Sequence, residues 1–110
     1  MLAREYAFDV AAEVPSGAVT FILVNLGTEE HELALLRLRG DVPMEELLQL
    51  PPARAGRFVT NVGGTHALPG QSARLPMTLA AGRYGYVCFL HASDGLPHSA
   101  KGMFGELTVT

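Results

Sequence analysis

The sequence has no tryptophan and a single cysteine, Cys88. One cysteine excludes an internal disulfide framework and every multi-cysteine zinc site. No apolar run is long enough to cross a bilayer as a helix. Basic residues are not in excess: Lys plus Arg number 8 against 11 Asp plus Glu, a formal net charge of −3. A nucleic-acid binder usually carries a basic stripe, which this balance does not favour. Only 17% of residues are charged and 48% are hydrophobic, which excludes a disordered composition. No positive segment followed by an apolar one opens the sequence, so no signal peptide is expected within it. Neither a repeat nor a low-complexity linker interrupts it, so residues 1–110 read as one domain.

What is present is a series of short apolar segments punctuated by turns. Arg4 to Val10 alternates Tyr6, Phe8 and Val10 with Ala7 and Asp9, the period of a half-buried strand. Val14 to Gly17 reads as a turn, and Ala18 to Leu26 as a buried strand rich in β-branched residues. Glu32 to Leu38 is read as a strand, because turn signals bound it at Gly27 and Gly40. Asp41 is placed to cap a short helix whose Met44, Leu47 and Leu48 share one face, with Pro51 and Pro52 ending it. Arg57 to Val62 reads as a weak strand closed by Gly63-Gly64. Ser72 to Leu79, Tyr84 to Leu90 and Met103 to Thr110 complete the strands, with His91 to Lys101 as a loop. About seven short strands with one helical insertion predict an all-β, antiparallel β-sandwich.

Cys88 leaves three possibilities: a buried thiol, a nucleophile, or one thiolate in a mixed-ligand metal site. Its surroundings bear on the choice. The run Cys88-x9-His98-x4-Met103 puts a thiolate, an imidazole and a thioether in or beside one loop, and His31 begins an earlier strand. Strand parity aligns these residues with apolar ones: His31 with Leu33 and Leu35, Cys88 with Tyr86 and Leu90, Met103 with Leu107 and Val109. Two imidazoles, one thiolate and a weak thioether suit a trigonal copper site with a long axial contact. A nucleophilic cysteine would need a base and an oxyanion site. His31 or His98 could supply the base, but nothing marks an oxyanion hole and Met103 would have no role.

Gly82 to Cys88, followed by His98 to Thr110, resembles the C-terminal signature of the cupredoxins, small blue-copper proteins of the plastocyanin and azurin type. Val24 to His31 is similar to the family segment carrying its first histidine ligand. The resemblance implies a Greek-key β-sandwich with type 1 copper at one end. It matches His31, Cys88, His98 and Met103 to the four ligands, with Met103 as the weak axial one. It further implies electron exchange with redox partner proteins, no enzymatic activity, and a periplasmic or outer-surface location. Two positions differ from the usual pattern: nine residues separate Cys88 from His98, and Glu32 follows His31 where Asn is common. The Glu32 backbone N–H is still placed to reach the cysteine sulfur.

Other readings stand beside this one. A copper chaperone, a domain of a larger redox protein, or a cupredoxin-like domain holding zinc or nothing would use the same residues. His91 competes with His98, because Cys88-x2-His91 is itself a familiar spacing, but only His98 keeps the x4 interval to Met103. His66 reads as a solvated loop histidine, Met44 as helix packing, Met77 as core, and Tyr84 and Tyr86 as strand aromatics. Glu29, Glu30 and Glu32 read as a solvated acidic turn, with docking of a basic partner as the functional alternative. Leu68, Pro69, Leu96 and Pro97 are candidates for an apolar rim around an exposed edge of His98.

Overall fold

A computed structural model describes residues 1–110. It contains nine strands, two short helices and a 3-10 turn: β1 Leu2–Arg4, β2 Ala7–Asp9, β3 Glu13–Val14, β4 Gly17–Asn25, β5 His31–Leu38, α1 Met44–Leu47, α2 Pro52–Ala55, β6 Val59–Ala67, β7 Ser72–Leu79, β8 Gly82–Val87, the 3-10 turn His98–Lys101, and β9 Phe104–Val109. One sheet has four strands in the order β2-β1-β4-β7, and the other has five in the order β3-β9-β8-β5-β6. The all-β sandwich is as expected, but the sheets are mixed and not purely antiparallel. β1 runs parallel to β4, and β3 runs parallel to β9.

Alternation drives the assembly. In β4, Phe21 and Leu23 turn inward while Ile22 points outward, and β7 pairs with it from Gly17↔Leu79 to Val24↔Ser72. The inner faces of both sheets meet in one cluster that includes Ala3, Phe21 and Leu23 from the first sheet. The second sheet supplies Leu33, Leu35, Tyr84, Leu107 and Val109. Each such aliphatic side chain contributes roughly 1.5–3 kcal/mol when fully buried. Cys88 and Met103 belong to the same cluster. Met77 packs at its partly exposed margin.

β5 is buried on both faces, and the helical insertion is the reason. Ala34, Leu36 and Leu38 on its outer face join Met44, Leu47 and Val87 in a second apolar cluster. The expected helix forms, but Asp41 does not cap it. Pro43 occupies the cap position without a side-chain bond, and the Met44 N–H instead donates to Glu106 Oε2 of β9 at 3.0 Å. Pro51-Pro52 does not simply end the helical segment either. Pro52 opens α2, where its missing N–H costs nothing.

Three strand expectations are also revised. Arg4 to Val10 is not one strand but the hairpin β1–β2, broken at Glu5-Tyr6, where Glu5 turns to hydrogen-bond the loop before His31. Part of the expected turn at Val14 pairs with the last strand as β3. Gly63-Gly64 does not close a strand, because β6 continues through it to Ala67 with a bulge opposite Leu35 and Leu36. At Gly64 a Cβ would stand 3.0 Å from the Leu33 carbonyl oxygen, so close backbone approach explains the glycine. His66 therefore lies in a strand and not in a loop, although it is exposed as expected.

Candidate metal centre

The site forms where two connections meet at one end of the sandwich. His31 is the first residue of β5. Cys88 falls just after β8, His98 opens the 3-10 turn, and Met103 precedes β9. Backbone bonds tie the second connection together: Cys88 N–H to the Met103 carbonyl at 3.0 Å, Met103 N–H to the His98 carbonyl at 3.1 Å, and His98 N–H to the Leu90 carbonyl at 2.7 Å. The turn ends at Gly102, whose φ of 103° is a left-handed conformation that suits glycine. That reversal returns the chain to β9 with Met103 fully buried.

The donor atoms of His31, Cys88 and His98 lie within 4.8 Å of one another, and all three residues are buried. Donors bonded to one ion at about 2.0–2.3 Å stand roughly 3.5–4 Å apart, so this cluster is close to that spacing. Cys88 Sγ lies 3.3 Å from His98 Nδ1. His31 Nε2 bonds Glu5 Oε2 at 2.8 Å, which leaves His31 Nδ1 buried with no hydrogen-bond partner. A buried imidazole nitrogen without a partner is costly in a purely structural role. Beside a thiol and a second imidazole, this unpartnered nitrogen is placed to serve a metal ion.

Polar groups surround the donors. The Glu32 N–H donates to Cys88 Sγ at 3.3 Å, as expected from sequence. Burial pushes the Cys88 thiol pKa above its usual value, while the backbone N–H groups of Glu32 and Leu90 act in the opposite direction. Burial alone would raise the Glu5 carboxyl, but hydrogen bonds from Thr28 and His31 outweigh it and bring it from 4.5 down to about 2. Glu29 Oε1 stands 3.3 Å from His98 Nε2, and its Oε2 accepts the Tyr6 hydroxyl at 2.6 Å. That bond lowers Glu29 and pushes Tyr6 up to about 12. The Tyr6 ring packs against the His98 imidazole with centroids 5.1 Å apart. Asn25, fully buried, donates to the carbonyls of Glu29 and Ala67 at 2.8 and 2.9 Å and accepts from the Gly27 N–H.

No protein-family model and no curated protein matches the chain. Solved structures do. Auracyanin A, a "blue" copper protein from the green thermophilic photosynthetic bacterium Chloroflexus aurantiacus, is 22% identical with a TM-score of 0.63, over 100% of this chain and 98% of that one. Dithionite-reduced auracyanin from the photosynthetic bacterium Roseiflexus castenholzii is 24% identical with a TM-score of 0.61, over 96% and 84%. Reduced rusticyanin is 23% identical with a TM-score of 0.56, over 89% of this chain and 61% of that one. This chain has the cupredoxin fold.

Within that cupredoxin frame the sequence expectations sort clearly. His31, Cys88 and His98 come together, and Met103 is buried beside Cys88 in the core. His91 is exposed, bridges to Pro97, and lies outside the donor cluster. His66 pairs with Glu30 at the surface, 2.8 Å apart. The acidic turn is not simply solvated: Glu29 faces His98, and Glu32 Oε1 accepts the Phe89 N–H at 3.1 Å. Leu68 and Leu96 are exposed, but they rim no open edge of His98, which is 1% exposed under Tyr6 and Glu29. Sequence reasoning missed Glu5 and Asn25, and read Tyr6 only as a strand residue and Glu29 only as part of an acidic turn. Of the two missed, Asn25, a polar residue closing an apolar run, gave a signal.

Proposed function

We propose that this chain holds one copper ion between His31, Cys88 and His98, with Met103 as a weak fourth ligand, and carries single electrons between redox partner proteins. The observation that carries this reading is the unpartnered, buried Nδ1 of His31 beside the buried Cys88 sulfur and His98 Nδ1. A soft thiolate with two imidazoles and a weak thioether is the donor set of electron-transfer copper. Copper bound there would supply a one-electron couple between its +1 and +2 states. The protein supplies the donors, a dry setting and bracing that resists rearrangement. Cys88 must lose its proton on binding, and the N–H groups of Glu32 and Leu90 stabilise the resulting thiolate.

Burial of all three donors favours electron transfer over metal delivery. An electron can pass through a thin layer of protein, whereas a departing metal needs an incoming ligand at the site. No reaction at the metal is proposed, so the chain is read as a carrier and not an enzyme. No helix is long and apolar enough to cross a membrane. The reading keeps the extracytoplasmic location that the family resemblance implies.

Titration of the purified apoprotein with copper(II) tests this. An intense visible thiolate-to-copper band is expected, lost in Cys88→Ser and in His98→Ala but kept in His91→Ala. No band in the unaltered protein at stoichiometric copper overturns the reading, and zinc binding without a copper band replaces it with a structural one.

A further inference from the structure

Both candidate histidine ligands meet a carboxylate at the nitrogen that faces away from the donor cluster. His31 Nε2 has Glu5 Oε2 at 2.8 Å, and His98 Nε2 has Glu29 Oε1 at 3.3 Å. Neither carboxylate is free to wander. The second oxygen of Glu5 accepts from the Thr28 N–H and hydroxyl and from the Glu29 N–H at 2.9 Å. The second oxygen of Glu29 holds the Tyr6 hydroxyl, and its backbone carbonyl is held by Asn25. The hairpin at Glu5-Tyr6 and the loop before β5 are thus locked to each other across the back of both imidazoles.

We propose that Glu5 and Glu29 are paired positioning residues. They fix both imidazoles with Nε2 protonated and Nδ1 toward the metal, and their charge favours the oxidised copper. A carboxylate accepting Nε2–H imposes that tautomer and makes the opposite nitrogen a stronger donor. The charge balance gives the direction. A thiolate and copper(II) sum to one positive charge, and reduction removes it. Two carboxylates beside the site turn these sums into one and two negative charges, so reduction adds charge where the field already opposes it. The inference rests on the copper reading for its redox half, while the tautomer half is independent of it.

Two measurements test the pair. In the metal-free protein, nitrogen-15 NMR of the imidazoles is expected to show Nε2–H in both His31 and His98. Nδ1–H in either one overturns the proposal for that carboxylate. In copper-loaded protein, Glu29→Gln removes the charge and keeps an acceptor oxygen at His98, its amide NH2 turning to the Tyr6 hydroxyl. Glu5→Gln removes the charge and also one of two acceptor oxygens, since both are used, one by His31 and one by Thr28 and Glu29. Each is expected to shift the redox equilibrium roughly tenfold toward the reduced form through loss of one nearby negative charge, about 59 mV upward for one electron, with the charge-transfer band retained in Glu29→Gln. Glu30→Gln is the control, since it removes the same charge from the same loop while pairing only with surface His66. Shifts in Glu5→Gln and Glu29→Gln no larger than in Glu30→Gln overturn the proposal. A missing band in the unaltered protein instead overturns the copper reading and the redox half with it.

Discussion

The two connections that build the candidate metal site are held in different ways. The loop into β5, which delivers His31, is held by side chains: Asn25, Glu5 and, through Tyr6, Glu29. The connection from Cys88 to Met103 is held mainly by its own backbone, with Gly102 reversing the chain. The difference follows from their contents. The Cys88–Met103 connection folds on itself and bonds many of its amides internally, with the Phe89 N–H given to Glu32. The loop before His31 is short, and it relies on residues from β4 and the β1–β2 hairpin. Side-chain bracing reaches the imidazoles directly, so the first connection can tune the site, whereas the second mainly places it.

Cutting the side-chain bracing is expected to have the largest effect. Asn25→Ala leaves the buried Ala67 carbonyl without its donor and frees the loop before His31. A loss of about 2–3 kcal/mol is expected from urea denaturation of the apoprotein. Loss of the copper band should accompany it. Gly102→Ala attacks the backbone-held connection and forces a side chain into the left-handed region. It is expected to cost about 1–2 kcal/mol, with the band kept but altered as Met103 is displaced.

The smallest effect is a pH dependence that sharpens the contrast. The folded pKa of Glu5, about 2, lies below its ordinary value of 4.5. Its contribution is therefore complete above 4.5 and is lost as pH falls from there toward 2. Apoprotein stability is expected to decline through that window, with a shallower decline in Glu5→Gln measured by denaturation at stepped pH. Equal slopes for the two proteins would remove Glu5 from the bracing. Solvent screening at this partly exposed carboxylate keeps the effect modest.

The part of the site legible in the sequence is the part carried by spacing. Cys88, His98 and Met103 share one connection, and parity set His31, Cys88 and Met103 on the side of the apolar residues of their strands. Those expectations needed only local periodicity. Glu5 and Glu29 were not legible, because their partners lie 26 and 69 residues away. Nothing local distinguishes either from a solvated carboxylate. The Arg4–Val10 segment misled for a related reason: its alternation is real, but the bonds that break it at Glu5 come from another loop. β5 shows the same limit in apolar residues, since Ala34, Leu36 and Leu38 needed the helical insertion to become core.

By itself the sequence determined the chemistry on offer: one thiolate, a few imidazoles, and alternating segments that can bury their inner faces only as a sandwich. The tertiary structure decided which histidines join the thiolate and what covers them. It set His91 outside the cluster, put Tyr6 and Glu29 over His98, and aimed Glu5 at His31. Periodicity fixes the face on which a side chain lies. Only the packing of distant segments fixes what stands opposite it.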